Sequence, residues 1–235
     1  MPRPDAPWFD RLPQDRCLAE FSMWSADLCN LERDLARIDP FVDLLHIDVA
    51  DGVFAPALLF FPDLVAQMRA RTARPIHVHL MVDDAVLMSQ IDQFAEAGAD
   101  LISLHAEHRQ AGEGIARIRA HGLRAGAVLR VETPVEAARP LLPDLDVVTL
   151  LGTAIGVKGQ GLNPAAPGRI AQMRAMVAGL PGRRIVAADG GIRDTTVPQL
   201  VGAGAQTVVL GSLAFGAPDL GARIAWLHGL KADHV

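Results

Sequence analysis

The feature that most constrains the fold is a regular alternation of short apolar runs with stretches of helical periodicity. The apolar runs carry few polar residues on either face, which is typical of strands that are buried on both sides in a parallel sheet. The stretches between them place apolar residues three and four positions apart, as an amphipathic helix does. Eight strands are predicted in this way: Cys17–Ser22, Asp43–Asp48, Pro75–Met81, Asp100–His105, Leu123–Leu129, Asp146–Leu151, Arg184–Ala188 and Gln206–Leu210.

The clearest helix is predicted over Asp84–Ala97, where Leu87, Ile91 and Phe94 share one face and Gly98 follows as a stop. The phrases FAEAGAD and LVGAGAQ resemble each other, and each combines a helix end, a glycine and the entry to a strand. This repetition indicates repeated strand–helix units. Further helices are predicted over residues 28–38, before His121-Gly122, at Pro164–Val177 and at Asp219–Leu230.

Eight strand–helix units in about 220 residues match the usual size of a (β/α)₈ barrel. An open, doubly wound sheet is the structural alternative, and a GxGxxG turn after the first strand would favour it. The segment at that position reads FSMWSAD, which is no such turn. We therefore predict an α/β fold, a single (β/α)₈ TIM barrel over residues 16–235. An irregular leader, or a flap over the barrel end, is predicted over residues 1–15.

Composition and charge narrow the class of protein. Half of the 235 residues are apolar, which suffices for a large core, yet no apolar run reaches the roughly 18 residues of a membrane span. A formal net charge of −5 argues against nucleic acid or an anionic membrane as the main partner. The N-terminal stretch has no apolar centre, and the two cysteines fit no disulfide framework or metal knuckle. We therefore predict a cytoplasmic protein.

Metal-capable side chains stand where three of the predicted strands end. His46 and Asp48 lie two positions apart and so point the same way, His79 lies in the next strand, and Asp189 follows the seventh. Because a barrel places its active site at the C-terminal ends of its strands, we expect the four to converge. Two imidazoles and two carboxylates suit one divalent ion, Zn²⁺, Mn²⁺, Fe²⁺ or Co²⁺, without choosing among them.

An ordered set of motifs resembles the ribulose-phosphate 3-epimerase family. The motifs are SMWSADL, HIDVADGVFAP, VHLMV, LHAE, GVKGQ, ADGG and a late GS, between about Glu20 and Gly216. The resemblance implies a metal-dependent barrel that inverts carbon 3 of a ketose phosphate, by default interconverting D-ribulose 5-phosphate and D-xylulose 5-phosphate. It also implies that His46, Asp48, His79 and Asp189 are the metal ligands.

The same resemblance implies that Asp48 and Asp189 form the acid/base pair. Inverting a carbon that bears hydrogen needs a base on one face and an acid on the other. The intermediate is a cis-enediolate, whose negative charge a divalent ion stabilises as a Lewis acid. The role of each aspartate depends on the direction of the reaction.

A substrate pocket is implied as well, with phosphate held by backbone N–H groups after the last two strands. Taken alone, the serine would be a turn or cap, the methionine core packing, and the glycines ordinary turns. The substrate-binding residues implied are Ser22, His79, Met81, Gly156, Val157, Lys158, Gly159, Gly190, Gly191, Gly211 and Ser212.

The chain departs from the family pattern in the pocket and its covering loop. Ala50 and Leu151 stand where methionines are usual, Ile155 replaces a proline, and Lys158 is an added cation that is either solvated or in contact with the substrate. His77 stands where an aspartate is usual, and we expect it to pack or to support a ligand. The sequence therefore does not identify the sugar phosphate, and another phosphoketose such as allulose 6-phosphate is an alternative substrate.

Two other functions were weighed against epimerisation. A carbon–carbon lyase such as a hexulose-phosphate synthase would carry DxKxxD at the third strand, which here reads HVHLMVD without lysine. A non-catalytic sugar-phosphate-binding barrel would not need both Asp48 and Asp189. His105 and Glu107 are expected near the site without binding the metal. The apolar run over residues 58–61 indicates a homo-oligomer or, equally, burial against the next helix.

Overall fold

The computed structural model describes residues 2–230. Within them, eight parallel strands close into a barrel in chain order, and the last strand pairs with the first. The predicted (β/α)₈ barrel is therefore confirmed. The strands are β1 (Leu18–Ser22), β2 (Leu44–Ala50), β3 (Ile76–Met81), β4 (Leu101–His105), β5 (Arg124–Leu129), β6 (Val147–Leu151), β7 (Ile185–Asp189) and β8 (Thr207–Leu210).

Each strand begins one residue later than its apolar run predicts, a difference within the usual scatter of boundaries. At the other end, β2 runs two residues past Asp48, and β7 includes Asp189. The strands therefore carry the metal-capable side chains themselves.

Helices cover the outside of the barrel, as the periodicity predicts. The helix predicted over Asp84–Ala97 is present residue for residue: the Asp83 side chain accepts the Ala85 N–H, and Gly98 ends it at φ +106°. The helices are α1 (Trp8–Arg11), α2 (Leu31–Ile38), α3 (Pro62–Arg69), α4 (Asp84–Ala97), α5 (Ala111–Ala120), α6 (Ala166–Val177), α7 (Val197–Gly202), α8 (Ser212–Phe215) and α9 (Leu220–Gly229).

The connection from β5 to β6 differs from the other units. It contains two short 3₁₀ turns, Val135–Ala138 and Leu142–Asp144, in place of an α-helix. Pro134, Pro140 and Pro143 lie in this segment, and each lacks the N–H that a continuing helix needs. No helix in the described part of the chain is long and apolar enough to span a membrane.

Residues 2–15, expected to be an irregular leader or a flap over the barrel end, contain the helical turn α1 and pack onto the barrel. Phe9 is fully buried and belongs, with Leu12, to an apolar cluster formed by the first residues of the strands. Arg183 Nη1 donates to the carbonyls of Phe9 at 2.7 Å and Leu12 at 2.9 Å. The leader therefore covers the N-terminal end of the barrel, opposite the strand ends that carry the polar side chains.

The barrel interior changes from apolar to polar along the strands. Because side chains two positions apart share a face, the strands fill the interior in layers. The first layer is apolar and includes Leu18, Leu44, Leu101, Val147 and Ile185. Two positions further on, the strands bury Glu20, His46, Ser103 and Thr149, with His77 beside them, and further still lie Ser22, Asp48, His79 and Asp189.

Candidate active site

The four predicted metal ligands converge at the C-terminal end of the barrel. His46, Asp48, His79 and Asp189 each offer a ligand atom, and these atoms lie within 4.8 Å of one another. Asp48 Oδ1 is 3.2 Å from His46 Nε2 and 3.4 Å from His79 Nδ1, and His79 Nδ1 is 4.0 Å from Asp189 Oδ2. Strands β2, β3 and β7 thus supply two nitrogen and two oxygen atoms around one point.

The Nδ1 atom of His79 tests whether these residues suit a metal ion. It is buried, and it has no hydrogen-bond partner among residues 2–230. Buried polar atoms almost always have a partner, so an atom left alone while facing two carboxylates is suited to a bound ion. An N₂O₂ donor set is also one that Zn²⁺ and similar divalent ions accept. The four residues therefore form a candidate divalent-metal site.

Glu20 holds His46, one of the four candidate ligands, from inside the barrel. Its Oε1 atom accepts from His46 Nδ1 at 2.7 Å and from His77 Nδ1 at 2.5 Å. On the far side, His77 Nε2 lies 2.6 Å from Ser103 Oγ. His77 therefore supports a ligand indirectly, through Glu20.

A second chain of contacts holds His79. Its Nε2 lies 2.9 Å from His105 Nε2, and His105 Nδ1 lies 3.1 Å from Glu107 Oε2. Burial lowers the pKa of His105 to about 3, so this imidazole is neutral. With its Nδ1 proton donated to Glu107, His105 accepts from His79 Nε2–H, which leaves the lone pair of His79 on Nδ1, facing the cluster.

The two aspartates have opposite pKa shifts. Burial raises the pKa of Asp189 to about 6; His46 opposes the rise, and the charge of Asp48 adds to it. Burial would also raise the pKa of Asp48, but the charge of His46 and its hydrogen bond, followed by the nearby imidazole of His79, hold it well below its usual range. Without an ion, the pair thus combines a firmly ionised carboxylate with one that takes up a proton readily.

Neighbouring charges also shift the pKa values of His46 and of its partner Glu20. Burial would lower the pKa of His46, but the charge and hydrogen bond of Asp48, followed by those of Glu20, raise it well above its usual value. Burial would raise the pKa of Glu20, but His77 and His46 hold it well below the usual range. Glu20 is therefore an ionised carboxylate, although it is only 1% exposed.

A cavity of about 430 Å³ opens above the four ligands. Ser22 lies in its wall, and its hydroxyl donates to Asp48 Oδ2 at 2.6 Å. His46 lies beneath the cavity, out of contact with it. The implied substrate-binding residues all line the cavity: Ser22, His79, Met81, Gly156, Val157, Lys158, Gly159, Gly190, Gly191, Gly211 and Ser212.

The loop between β6 and α6 (the β6–α6 loop, residues 152–165) forms one side of this cavity. Lys158 Nζ donates to the Trp24 carbonyl at 2.6 Å and lies 4.5 Å from the centre of the Trp24 ring. Arg193 Nη2 donates to the carbonyls of Gly159 and Gln160, at 3.1 Å each. Two cations thus fasten the loop to the segments that follow β1 and β7.

Three of the departures from the family pattern gather on one side of the site. Ala50 and Met81 are buried in one apolar cluster, and Ile155 packs against it. Leu151 lines the cavity directly. Ala50, Leu151 and Ile155 therefore shape the pocket beside the β6–α6 loop, whereas His77 lies beneath the candidate ligands and reaches His46 through Glu20.

Three residues of the site were not predicted from the sequence. Trp24 lies in the motif SMWSADL but was given no role of its own, and Arg193 follows β7 outside any of the motifs. Glu20 had a usable signal, because it is a charged residue inside an otherwise apolar predicted strand. A charge in such a place is seldom fully buried without a partner, so a buried partner for Glu20 was open to prediction.

Comparison with known proteins agrees with this geometry. A model of the ribulose-phosphate 3 epimerase family matches residues 18–215. The chain is 32% identical to a ribulose-phosphate 3-epimerase of Synechocystis sp., over 89% of this chain and 92% of that protein. It is 34% identical to one of Bacillus subtilis, over 89% and 97%, and 35% identical to one of Mycobacterium tuberculosis, over 88% and 89%.

Solved structures show the same fold at low sequence identity. The orotidine 5′-phosphate decarboxylase of Pyrococcus horikoshii superposes with a TM-score of 0.64 at 14% identity, over 90% of this chain and 97% of that one. A 3-hexulose-6-phosphate synthase superposes with 0.63 at 17%, over 92% and 100%. These two likenesses concern the fold alone. The family model, by contrast, matches residues 18–215, and the relatives from Synechocystis and Bacillus subtilis are 32% and 34% identical to this chain. The chain therefore belongs to the ribulose-phosphate 3-epimerase family of carbohydrate isomerases.

Proposed function

We propose that the protein is a metal-dependent ketose-phosphate 3-epimerase that interconverts D-ribulose 5-phosphate and D-xylulose 5-phosphate. The observation that carries this proposal is the pair Asp48 and Asp189, which face one cavity from β2 and β7 and have opposite pKa shifts. Carboxylates whose pKa values are pushed apart are suited to act as acid and base. The names of the curated relatives support the choice of sugar.

The metal would be held by His46, Asp48, His79 and Asp189. A bound Zn²⁺, Mn²⁺, Fe²⁺ or Co²⁺ would supply positive charge that stabilises the negative charge developing on the substrate oxygens. A mixed nitrogen and oxygen donor set accepts each of these ions.

The two aspartates would transfer the proton. One removes the proton from carbon 3, which gives a cis-enediolate, and the other returns a proton to the opposite face. The roles exchange when the reaction runs backwards. Ser22, which donates to Asp48 Oδ2, would keep that carboxylate in one orientation while Oδ1 faces the ligand cluster.

We also propose where the substrate binds. Backbone N–H groups around Gly190, Gly191, Gly211 and Ser212, beyond β7 and β8, would hold the phosphate. A side chain at Gly191 would be strained at φ +70°, and its Cβ would lie 2.8 Å from Leu162 Cα. Opposite this end, His79, Met81 and the loop residues Gly156, Val157, Lys158 and Gly159 would enclose the sugar.

Lys158 provides a test of that pocket. Replacing it with methionine removes the cation and its contact to the Trp24 carbonyl, so the β6–α6 loop is held less firmly. A hydrogen bond to a charged group contributes about 1.5–3 kcal/mol, so we expect KM for the sugar phosphate to rise roughly tenfold or more. Steady-state kinetics measure this effect, and kcat should change less than KM. Lys158→Arg is the matched control that keeps the charge, and an unchanged KM in Lys158→Met would contradict the assignment.

The direct test of the reaction is solvent exchange. Purified, metal-loaded protein incubated with D-ribulose 5-phosphate in deuterated water should form xylulose 5-phosphate that carries deuterium at carbon 3, detected by NMR. Absence of both product and label rejects this substrate. Allulose 6-phosphate is tested in parallel, because Ala50 and Leu151 alter the pocket wall. Exchange with allulose 6-phosphate alone would make that sugar the substrate in place of D-ribulose 5-phosphate. Exchange with neither sugar would favour a non-catalytic sugar-phosphate-binding barrel.

The remaining predictions concern partners and location. Of the apolar run over residues 58–61, Phe60 is buried, whereas Leu58 is 82% and Phe61 58% exposed. The two exposed side chains, with the exposed Val53 nearby in the chain, support a homo-oligomer. A cytoplasmic location and the lack of a nucleic-acid partner stay predictions from the sequence.

A further inference from the structure

The carboxylate of Glu20 lies inside the barrel, one layer beneath the candidate metal site. Its Oε1 atom is shared by His46 Nδ1 and His77 Nδ1, and its Oε2 atom lies 3.4 Å from Thr207 Oγ1. A buried carboxylate without partners would be strongly destabilising. Here two imidazoles compensate the charge, so the arrangement is a built polar network inside an otherwise apolar barrel.

The network determines which nitrogen of each imidazole carries a proton. The Oε1 atom of Glu20 lies within hydrogen-bond distance of both Nδ1 atoms and acts as the acceptor for each, so both Nδ1 atoms donate to it. His77 then accepts from the Ser103 hydroxyl through Nε2, at 2.6 Å. With Nδ1 committed to Glu20, Nε2 is the nitrogen of His46 left to face the ligand cluster, and without an ion it donates to Asp48 Oδ1 at 3.2 Å.

We propose that Glu20 is a positioning residue, which fixes the tautomer and orientation of His46 so that Nε2 faces the metal; this inference rests on the proposed metal site. His77 holds Glu20 from the other side and does not bind the ion. The effect is specific to His46, because His79 is oriented by the separate contacts through His105 and Glu107. Outer carboxylates that accept the free N–H of a ligand histidine also raise its basicity, so the charge of Glu20 strengthens the site.

An alternative is that Glu20 is itself a metal ligand. Glu20, His46 and His77 also place potential ligand atoms within 4.8 Å of one another. The distances of 2.5 and 2.7 Å from the shared oxygen to the two nitrogens are those of hydrogen bonds. They favour protons over a second ion between these groups. The two readings differ in the number of ions that each chain binds.

The test is the affinity for Zn²⁺ and Co²⁺, measured by competition with a chelator in the full-length chain. Outer-partner losses weaken metal binding by about 10–100-fold, so we expect Glu20→Ala to fall in that range and Glu20→Gln, which loses the charge but keeps the size, to lose about tenfold. Thr149→Val is the matched control, because it removes a buried barrel hydroxyl that has no partner within residues 2–230. We expect its metal affinity to stay at the level of the unsubstituted protein.

A spectroscopic readout separates positioning from a general loss of stability. In the Co²⁺-loaded protein, visible absorption reports the ligand geometry, and we expect its bands to change in Glu20→Ala but not in Thr149→Val. Circular dichroism establishes that each variant is folded. If Glu20→Ala fails to fold, Glu20→Gln decides the matter.

The inference is overturned if a folded Glu20→Gln variant binds both ions as tightly as the unsubstituted protein and with the same Co²⁺ spectrum. Two ions per chain, one of them lost in Glu20→Ala, would also overturn it and make Glu20 a ligand. If the unsubstituted protein binds no divalent ion, the proposed metal site itself fails, which is a distinct result.

Discussion

Replacing Asp189 with asparagine lowers kcat for epimerisation on the order of 10²–10⁴-fold, the range that a positioned acid or base contributes. An asparagine keeps the size of the side chain and one oxygen, but it cannot accept the proton at neutral pH. Asp189 lies in the cavity wall at the end of β7 and is also one of the four candidate metal ligands, so the metal content of the variant is measured alongside its rate. Rates measured from each of the two epimers give the effect in both directions.

Deuterium exchange makes this prediction sharper. Asp48 remains in the variant and still serves one face of the substrate. Exchange of the carbon 3 proton should therefore persist from one epimer while epimerisation is lost. Asp194→Asn is the matched control, since Asp194 is an exposed aspartate a few residues further along the same segment. A kcat within a few-fold of the unsubstituted rate would mean that Asp189 is not one of the pair.

Replacing both His46 and His79 with alanine removes bound metal and turnover together. Each supplies one nitrogen to the four-residue cluster, and the two remaining carboxylates would be left close together without a cation between them. Loss of an outer partner alone costs about 10–100-fold in metal affinity, so loss of two direct ligands should cost more than that. Metal content by elemental analysis and kcat on the same samples measure the two effects.

His121→Ala is the control for this double variant, because His121 is an exposed histidine paired with Asp92 on the outside of the barrel. It should keep both metal and rate. Turnover that survives in a metal-free double variant would show that the reaction does not need the ion, and the proposed mechanism would be wrong.

The sequence predicted the fold well because its signals are local. Apolar runs buried on both faces imply parallel strands, and the helical periodicity between them implies crossovers. The helix Asp84–Ala97 shows that an N-terminal cap and a terminal glycine make the bounds of a helix predictable, because it begins and ends where its sequence predicts. For the leader, the sequence predicted only an irregular segment or a flap over the barrel end. The apolar surface that Phe9 and Leu12 cover exists only once the barrel has closed.

The sequence likewise predicted which side chains form the candidate site but not how they are oriented. Strand periodicity indicates that His46 and Asp48 point together, and the barrel rule brings His79 and Asp189 to the same end. Neither indicates which nitrogen of an imidazole faces the ligand cluster. That depends on Glu20, 26 residues from His46 along the chain, and on His105, 26 residues from His79.

The sequence by itself thus determined the barrel and the four side chains able to bind a metal, which follow from residue type and spacing, and it indicated the family through the resemblance of its motifs. Only the tertiary structure decided how those side chains are held. It placed a carboxylate between two buried imidazoles, fastened Lys158 to Trp24, and gathered Ala50, Met81 and Ile155 beside the pocket. These contacts join strands and loops that are distant along the chain, and the closed barrel is what brings them within hydrogen-bonding and packing distance.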